Sequence, residues 1–160
     1  MTETIALPDL RNISAGDYPR LKAFVHKLSP DTGYKRLLSP RMPTDDEIRR
    51  WADIDPSHEG AVVAVDDEEV VGVARYVLES HGEADFAIVL ADAWQGRGLG
   101  RRLLERLIAA ARKSGVRRLS GVTLTTNVGM LALAKGLGFR AIRQAGFTTM
   151  LSLDLSPVSR

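Results

Sequence analysis

One stretch constrains this chain more than any other: FAIVLADAWQGRGLGRRLLERLIAAARKSG, residues 86–115. It opens as an apolar run of strand composition and breaks at three glycines in five positions (Gly96, Gly98 and Gly100). It then continues as a leucine-striped helix. Glycine gives up more backbone freedom on folding than any other residue. Three together mean that the backbone approaches something closely or takes up angles that a Cβ forbids. Leu103, Leu104, Leu107, Ile108 and Ala111 repeat at helical spacing. Arg112 and Lys113 occupy the last turn and Gly115 follows, as helix C-termini prefer. A strand feeding a glycine loop that opens a helix is an anion-binding arrangement. The first N–H groups of a helix have no internal partner, and its dipole adds about half a positive charge there. Arg97, Arg101 and Arg102 add to that charge.

The remaining segments read as further α/β elements. TIALPDLRNI reads as a strand and SAGDYPRLKAFVHKL as a helix with Leu21, Phe24, Val25 and Leu28 on one face. SPDTGYKRLLSPRMP, with three prolines and a glycine, reads as a loop with a helical turn. Thr44 with Glu47 three residues on is a capping-box pattern that opens a short helix. EGAVVAVD and EVVGVARYVLE flank an acidic turn at residues 66–69 and predict a hairpin. ADFAIVLAD is the strand that enters the glycine loop. VRRLSGVTLTT follows as a strand, NVGMLALAKGLG as a helix ending at Gly138, and FRAIRQ and TTMLSLDL as closing strands. The result is a mixed α/β layer.

Composition removes several function classes. A length of 160 residues suits one domain. No apolar run reaches the ~18 residues of a membrane span. The N-terminus lacks the basic start and apolar block of a signal peptide. The chain has no cysteine, which removes disulfides, cysteine zinc sites and a cysteine nucleophile, and fits a cytoplasmic protein. His26, His58 and His81 show no ligand spacing, so no metal is expected. The charge is segregated: residues 44–92 hold 14 of the 20 acids and three basic residues, while residues 95–118 hold eight basic residues and one acid. Two readings are open for this, a pair of solvated faces or an anion at the basic segment with a cation at the acidic one.

The glycine spacing narrows the anion. A P-loop requires a lysine and then Ser or Thr where this chain has Arg101 and Arg102, and the dinucleotide fingerprint requires a glycine at 101. The spacing that fits is Q-x-x-G-x-G, with Gln95, Gly98 and Gly100. After a strand, it resembles the pyrophosphate-binding motif of the GNAT superfamily of N-acetyltransferases. The later NVGMLALAKGLGFR, with Asn127 and Leu137-Gly138-Phe139, resembles that family's second signature in order and distance. The resemblance covers nearly the whole chain. It implies a single GNAT domain over residues 1–160, with a central mixed, mostly antiparallel sheet of about six to seven strands and about four flanking helices.

The resemblance also implies a chemistry. Acetyl-CoA would be the co-substrate, its pyrophosphate on the backbone of Gln95, Gly96, Arg97, Gly98, Leu99 and Gly100, with Arg101 beside it. Its pantetheine arm would pair with the backbone of Ile88, Val89 and Leu90 as an added strand does. Asn127 would touch the arm. Acetyl would pass directly to a primary amine, which must first lose a proton because a free lysine has a pKa of ~10.4. Glu79, His81, Glu83 and Asp85 are the candidate bases. Asp85, in Ala84-Asp85-Phe86, stands where related protein lysine acetyltransferases carry a glutamate, and Glu83 is the reserve. Many members carry a tyrosine seven residues after the asparagine as the acid for the leaving thiolate; here that position is Ala134. Tyr76 or Tyr18 could replace it only if the fold brings one near.

LSPDTGYKRLLSP and PTDDEIRRWADID resemble the N-terminal part of protein lysine acetyltransferases that modify acyl-CoA synthetases. The first expectation is therefore a protein-lysine acceptor. The alternatives are a small amine (polyamine, amino sugar or antibiotic) and, given Ala134, a non-catalytic acyl-CoA-binding regulatory module. A homodimer is compatible with the family. Neither membrane nor nucleic acid is an expected partner, the latter because no aromatic residues interleave with the arginines.

Overall fold

The valine-rich segments pair as their composition predicts. The computed structural model describes residues 7–29 and 43–155. Its strands are β1 (Asp9–Asn12), β2 (Glu59–Asp66), β3 (Glu69–Ser80), β4 (Glu83–Leu90), β5 (Arg118–Leu124), β6 (Arg140–Arg143) and β7 (Thr148–Asp154). They form one sheet in the order β1-β2-β3-β4-β5-β7-β6, antiparallel at every pairing except β4–β5. Its α-helices among the described residues are α1 (Tyr18–Lys27), α2 (Asp45–Ala52), α3 (Leu99–Lys113) and α4 (Val128–Gly136). The expected mixed, mostly antiparallel α/β sheet is thus present. The loop expected over residues 29–43 lies almost wholly outside the described residues, as does the first part of the opening strand.

Local chemistry accounts for the connections. Asp67 and Glu68, between β2 and β3, take φ of 48° and 66°, and His81 and Gly82, between β3 and β4, take 47° and 80°. Two-residue loops with positive φ match the twist of the strands they join. Thr44 opens α2 as a capping box: its hydroxyl accepts from the Glu47 N–H at 3.2 Å, and the Glu47 carboxylate accepts from the Thr44 N–H at 3.3 Å.

Each face of the sheet carries its own core. Ala84 and Phe86 of β4 point to the side where Leu103, Leu104, Leu107 and Ala111 of α3 and Ala134 of α4 are buried. On the opposite side Leu21, Phe24 and Val25 of α1 and Ile48 and Ala52 of α2 pack on Ala61, Val63 and Val73. That second side also holds a buried ion pair. The Glu59 carboxylate, 1% exposed, accepts from Arg75 at 3.1 Å, pairs with Arg50 at 3.0 Å and accepts from the Asp55 N–H at 2.9 Å. A buried carboxylate is tolerable only when so completely satisfied. The network ties α2 and the turn after it to the sheet.

Candidate active site

The parallel pairing of β4 with β5 is short, running only from Glu83, Ala84 and Asp85 to Arg118, Leu119 and Ser120. Beyond it the strands part. At the last point of approach Gly121 lies under Phe86, where an added Cβ would come within 2.8 Å of both the ring and the Phe86 carbonyl oxygen. Further on, β5 is held on its other side by β7, and β4 by β3, so each turns an unpaired backbone edge toward the gap. The gap is a groove of about 330 Å³. Ile88, Val89 and Leu90 form one wall, Val122 and Thr123 the other, and Asn127 and Met130 of α4 close it on one face.

The glycine loop stands at the mouth of this groove. Gly96 and Gly98 take φ of 75° and 84°, the left-handed region, with no atom within 4 Å of a Cβ built on either. Their glycines therefore answer to backbone angle and leave the space beside them open. Gly98 is the N-cap of α3. Gly100 differs: it lies inside the helix, where an added Cβ would meet Leu133 at 3.2 Å and Leu90 at 3.3 Å, so it lets α3 come close to α4 and β4. The Gln95 side chain donates to the Leu90 carbonyl at 3.3 Å and ties the loop to the end of β4.

Nine of the residues named from the sequence line this groove: Ile88, Val89, Leu90, Gln95, Gly96, Gly98, Gly100, Arg101 and Asn127. Leu99 is 2% exposed with its side chain in the core. The Arg97 guanidinium lies 5.1 Å from the centre of the Trp94 ring. Arg101, 3.7 Å from Glu105, sits at the groove, whereas Arg102 turns away and reaches the Pro8 carbonyl at 3.4 Å. Thr123 and Gly121 also line the groove. No motif marks them; only the register of β5 against β4 and β7 brings them there.

The candidate bases separate. Asp85 pairs in register with Val77 on one side and Ser120 on the other, and points to the α1/α2 face at the closed end of the groove. Arg75 stands on that same face opposite Ala87, its pKa drawn below the ordinary value by burial and opposed by Glu59. Glu83 is half exposed and paired with Arg118 at 3.1 Å. Glu79 and His81 are exposed at the β3–β4 turn. Neither tyrosine lines the groove. Tyr76 is buried against Gly60, and Tyr18 lies under the Arg49 guanidinium at 4.1 Å. Ala134 is fully buried. Among the described residues no group of three or more His, Asp or Glu side chains could hold a metal ion, and no helix is long and apolar enough to cross a membrane.

Comparison with known proteins bears on this arrangement. The family model described as the acetyltransferase (GNAT) family matches residues 18–139. Acetyltransferase Pat of Mycolicibacterium smegmatis is 31% identical over 153 residues, which are 93% of this chain and 46% of that protein. The chain thus spans about half the length of that relative. Acetyltransferase PA5475 of Pseudomonas aeruginosa is 31% identical over 148 residues, 89% of this chain and 80% of that one. The crystal structure of the GNAT domain of S. lividans PAT superposes with a TM-score of 0.85 at 26% identity, over 94% of each chain.

Proposed function

The chain belongs to the acetyltransferase (GNAT) family, and from that premise we propose that it moves an acetyl group from acetyl-CoA in one step to a primary amine, a lysine of a protein acceptor. The observation that carries this reading is the parting of β4 and β5 directly beside a glycine loop at a helix N-terminus.

The residues present fit the co-substrate. Gly96 and Gly98 leave open space beside loop N–H groups, where a diphosphate finds donors, the positive end of α3 and Arg101. On the groove side of β4, the backbone of Ile88 and the Leu90 N–H offer an amide-bearing arm hydrogen bonds of the kind a strand would make. Acetyl-CoA supplies an acyl group already activated as a thioester. The rest falls to the chain. An arm entering from the glycine loop runs toward the closed end of the groove, where β4 and β5 last pair at Asp85 and Ser120. Asp85 is therefore the carboxylate nearest the end of the path. It is the proposed base, acting through a water because its side chain is one methylene shorter than a glutamate. Glu83 is a weaker choice, since it stands two residues further from the open part of the groove, opposite Arg118.

The amine would approach on the Asp85 face. There α1 and α2 cover β2 and β3, whereas Val122 and Ile142 on the β5–β7–β6 half are 45% and 44% exposed. The protein-lysine acceptor is favoured by the sequence resemblance of residues 28–40 and 43–55 to protein lysine acetyltransferases. With Ala134 at the usual tyrosine position, the thiolate departs without that acid.

Two measurements test the proposal. At ~100 times its dissociation constant a ligand adds ~2.7 kcal/mol, so acetyl-CoA is expected to raise the thermal midpoint by roughly 5–10 °C. CoA release is then followed with a lysine-rich protein and with a polyamine. Release with the protein supports the lysine enzyme. Release with the polyamine alone moves the acceptor to small amines, a midpoint shift without any release identifies a silent binder, and no shift at all removes the reading.

A further inference from the structure

Thr123 and Asn127 form a directed pair inside the groove. The Asn127 side chain accepts from the Met130 N–H at 3.3 Å. An N–H can only donate, so that atom must be the amide oxygen, and the amide nitrogen is left facing Thr123 at 3.3 Å. That nitrogen also can only donate, so the Thr123 hydroxyl accepts. A threonine hydroxyl has one proton of its own. The cross-strand neighbour Thr149 is engaged with Thr125 at 2.9 Å, and no acceptor among the described residues takes the Thr123 proton. Thr123 is 5% exposed and lines the groove. The Thr123 hydroxyl thus stands at the groove wall with a proton that a groove ligand can accept.

The level at which it stands identifies the acceptor. Asp85 pairs with Ser120, and continuing that register sets Thr123 opposite Ile88. This is the stretch whose backbone is open to an amide-bearing arm. We propose that Thr123 is the side-chain donor to a carbonyl oxygen of the acyl-CoA arm, and that Asn127 is a positioning residue that fixes the direction of the hydroxyl. The proposal rests on the acetyl-CoA reading above. It gives Asn127 a different task from direct contact with the arm.

Calorimetric titration with CoA, and with its arm-less nucleotide half (phosphoadenosine diphosphate), tests it in the wild type, T123V and T123S. Valine keeps the volume and removes the hydroxyl; serine keeps the hydroxyl. The expectation is an approximately tenfold loss of CoA affinity in T123V, the worth of one hydrogen bond whose partner is left unsatisfied. T123S should stay near wild type, and the arm-less nucleotide should bind all three alike. N127A, which frees the hydroxyl to rotate, should weaken CoA in the same direction. Wild-type affinity for CoA in T123V overturns the proposal, as does an equal loss for both ligands, which signals a collapsed site. Failure of wild-type protein to bind either ligand is a separate result and overturns the acetyl-CoA reading itself.

Discussion

Gly98 and Gly100 stand two residues apart and answer to different physics. Gly98 is left-handed with open space around it, so G98A meets a conformational penalty alone, about 1–2 kcal/mol for an L-residue in that region. Urea denaturation should register it as a lower midpoint with an unchanged slope. Gly100 has ordinary helical angles but no room. G100A presses Leu133 and Leu90 apart and should weaken CoA binding more than it lowers stability, which calorimetry beside denaturation separates. The sequence displayed both glycines; it could not tell these causes apart, because one is a torsion and the other a neighbour from a distant strand. Asp85 carries the sharpest residue-scale expectation. D85N should lower kcat by about 10²–10⁴-fold, the usual contribution of a general base, while CoA affinity stays at the wild-type value. An unchanged kcat would send the search for the base elsewhere.

Elements are anchored by two buried carboxylates with pKa values below their ordinary range. Asp17, 2% exposed, leads into α1. The Arg11 guanidinium holds its pKa down at 2.6 and 2.7 Å against the cost of burial, and the Ser14 N–H at 2.8 Å helps. At Glu59 burial raises the pKa, but the Asp55 N–H, Arg50 and Arg75 together outweigh it. In both cases the unfolded chain binds protons more readily than the folded one. Their stabilisation is therefore present above the unfolded value of roughly 4 and is lost as pH falls through the lower folded value. Urea midpoints should hold near neutrality and drop below about pH 4, with a shallower drop in D17N. E59A strands Arg75 in the interior and should cost about 3–5 kcal/mol. Most elements were legible in advance. The Thr44 cap, the hairpin across the acidic turn at 66–69 and the stripe of α3 are local patterns, and local patterns survive in one dimension. The parting of β4 from β5 was legible only through resemblance, because it depends on what each strand pairs with on its far side.

Across the molecule the separation of charge is softer than the composition implies. Lys22–Asp45, Arg20–Glu68 and Lys27–Glu69 join α1 to the acidic segment, so part of that excess is neutralised at home. The basic side keeps Arg97 and Arg101 at or near the groove mouth. CoA affinity should therefore fall as salt shortens the Debye length from ~10 Å at 0.1 M toward ~3 Å at 1 M. R101M should bind more weakly and depend less on salt, as titration at two ionic strengths would show. Arg102 resembled an equal contributor in sequence, yet a single helical step turns it to the Pro8 carbonyl, away from the ligand side.

The order of the sheet carries a consequence for how this protein comes into being. β7 is later in the chain than β6 but lies inside it, between β6 and β5. A chain emerging from the ribosome can finish the glycine loop, α3 and α4 and still have no neighbour for the free edge of β5. The far wall of the groove, with Thr149 and Leu151 behind it, closes only when Thr148–Asp154 slides into that slot. At about 5–20 residues synthesised per second, competence to hold a ligand waits for β7, after the glycine loop and both helices have already been made.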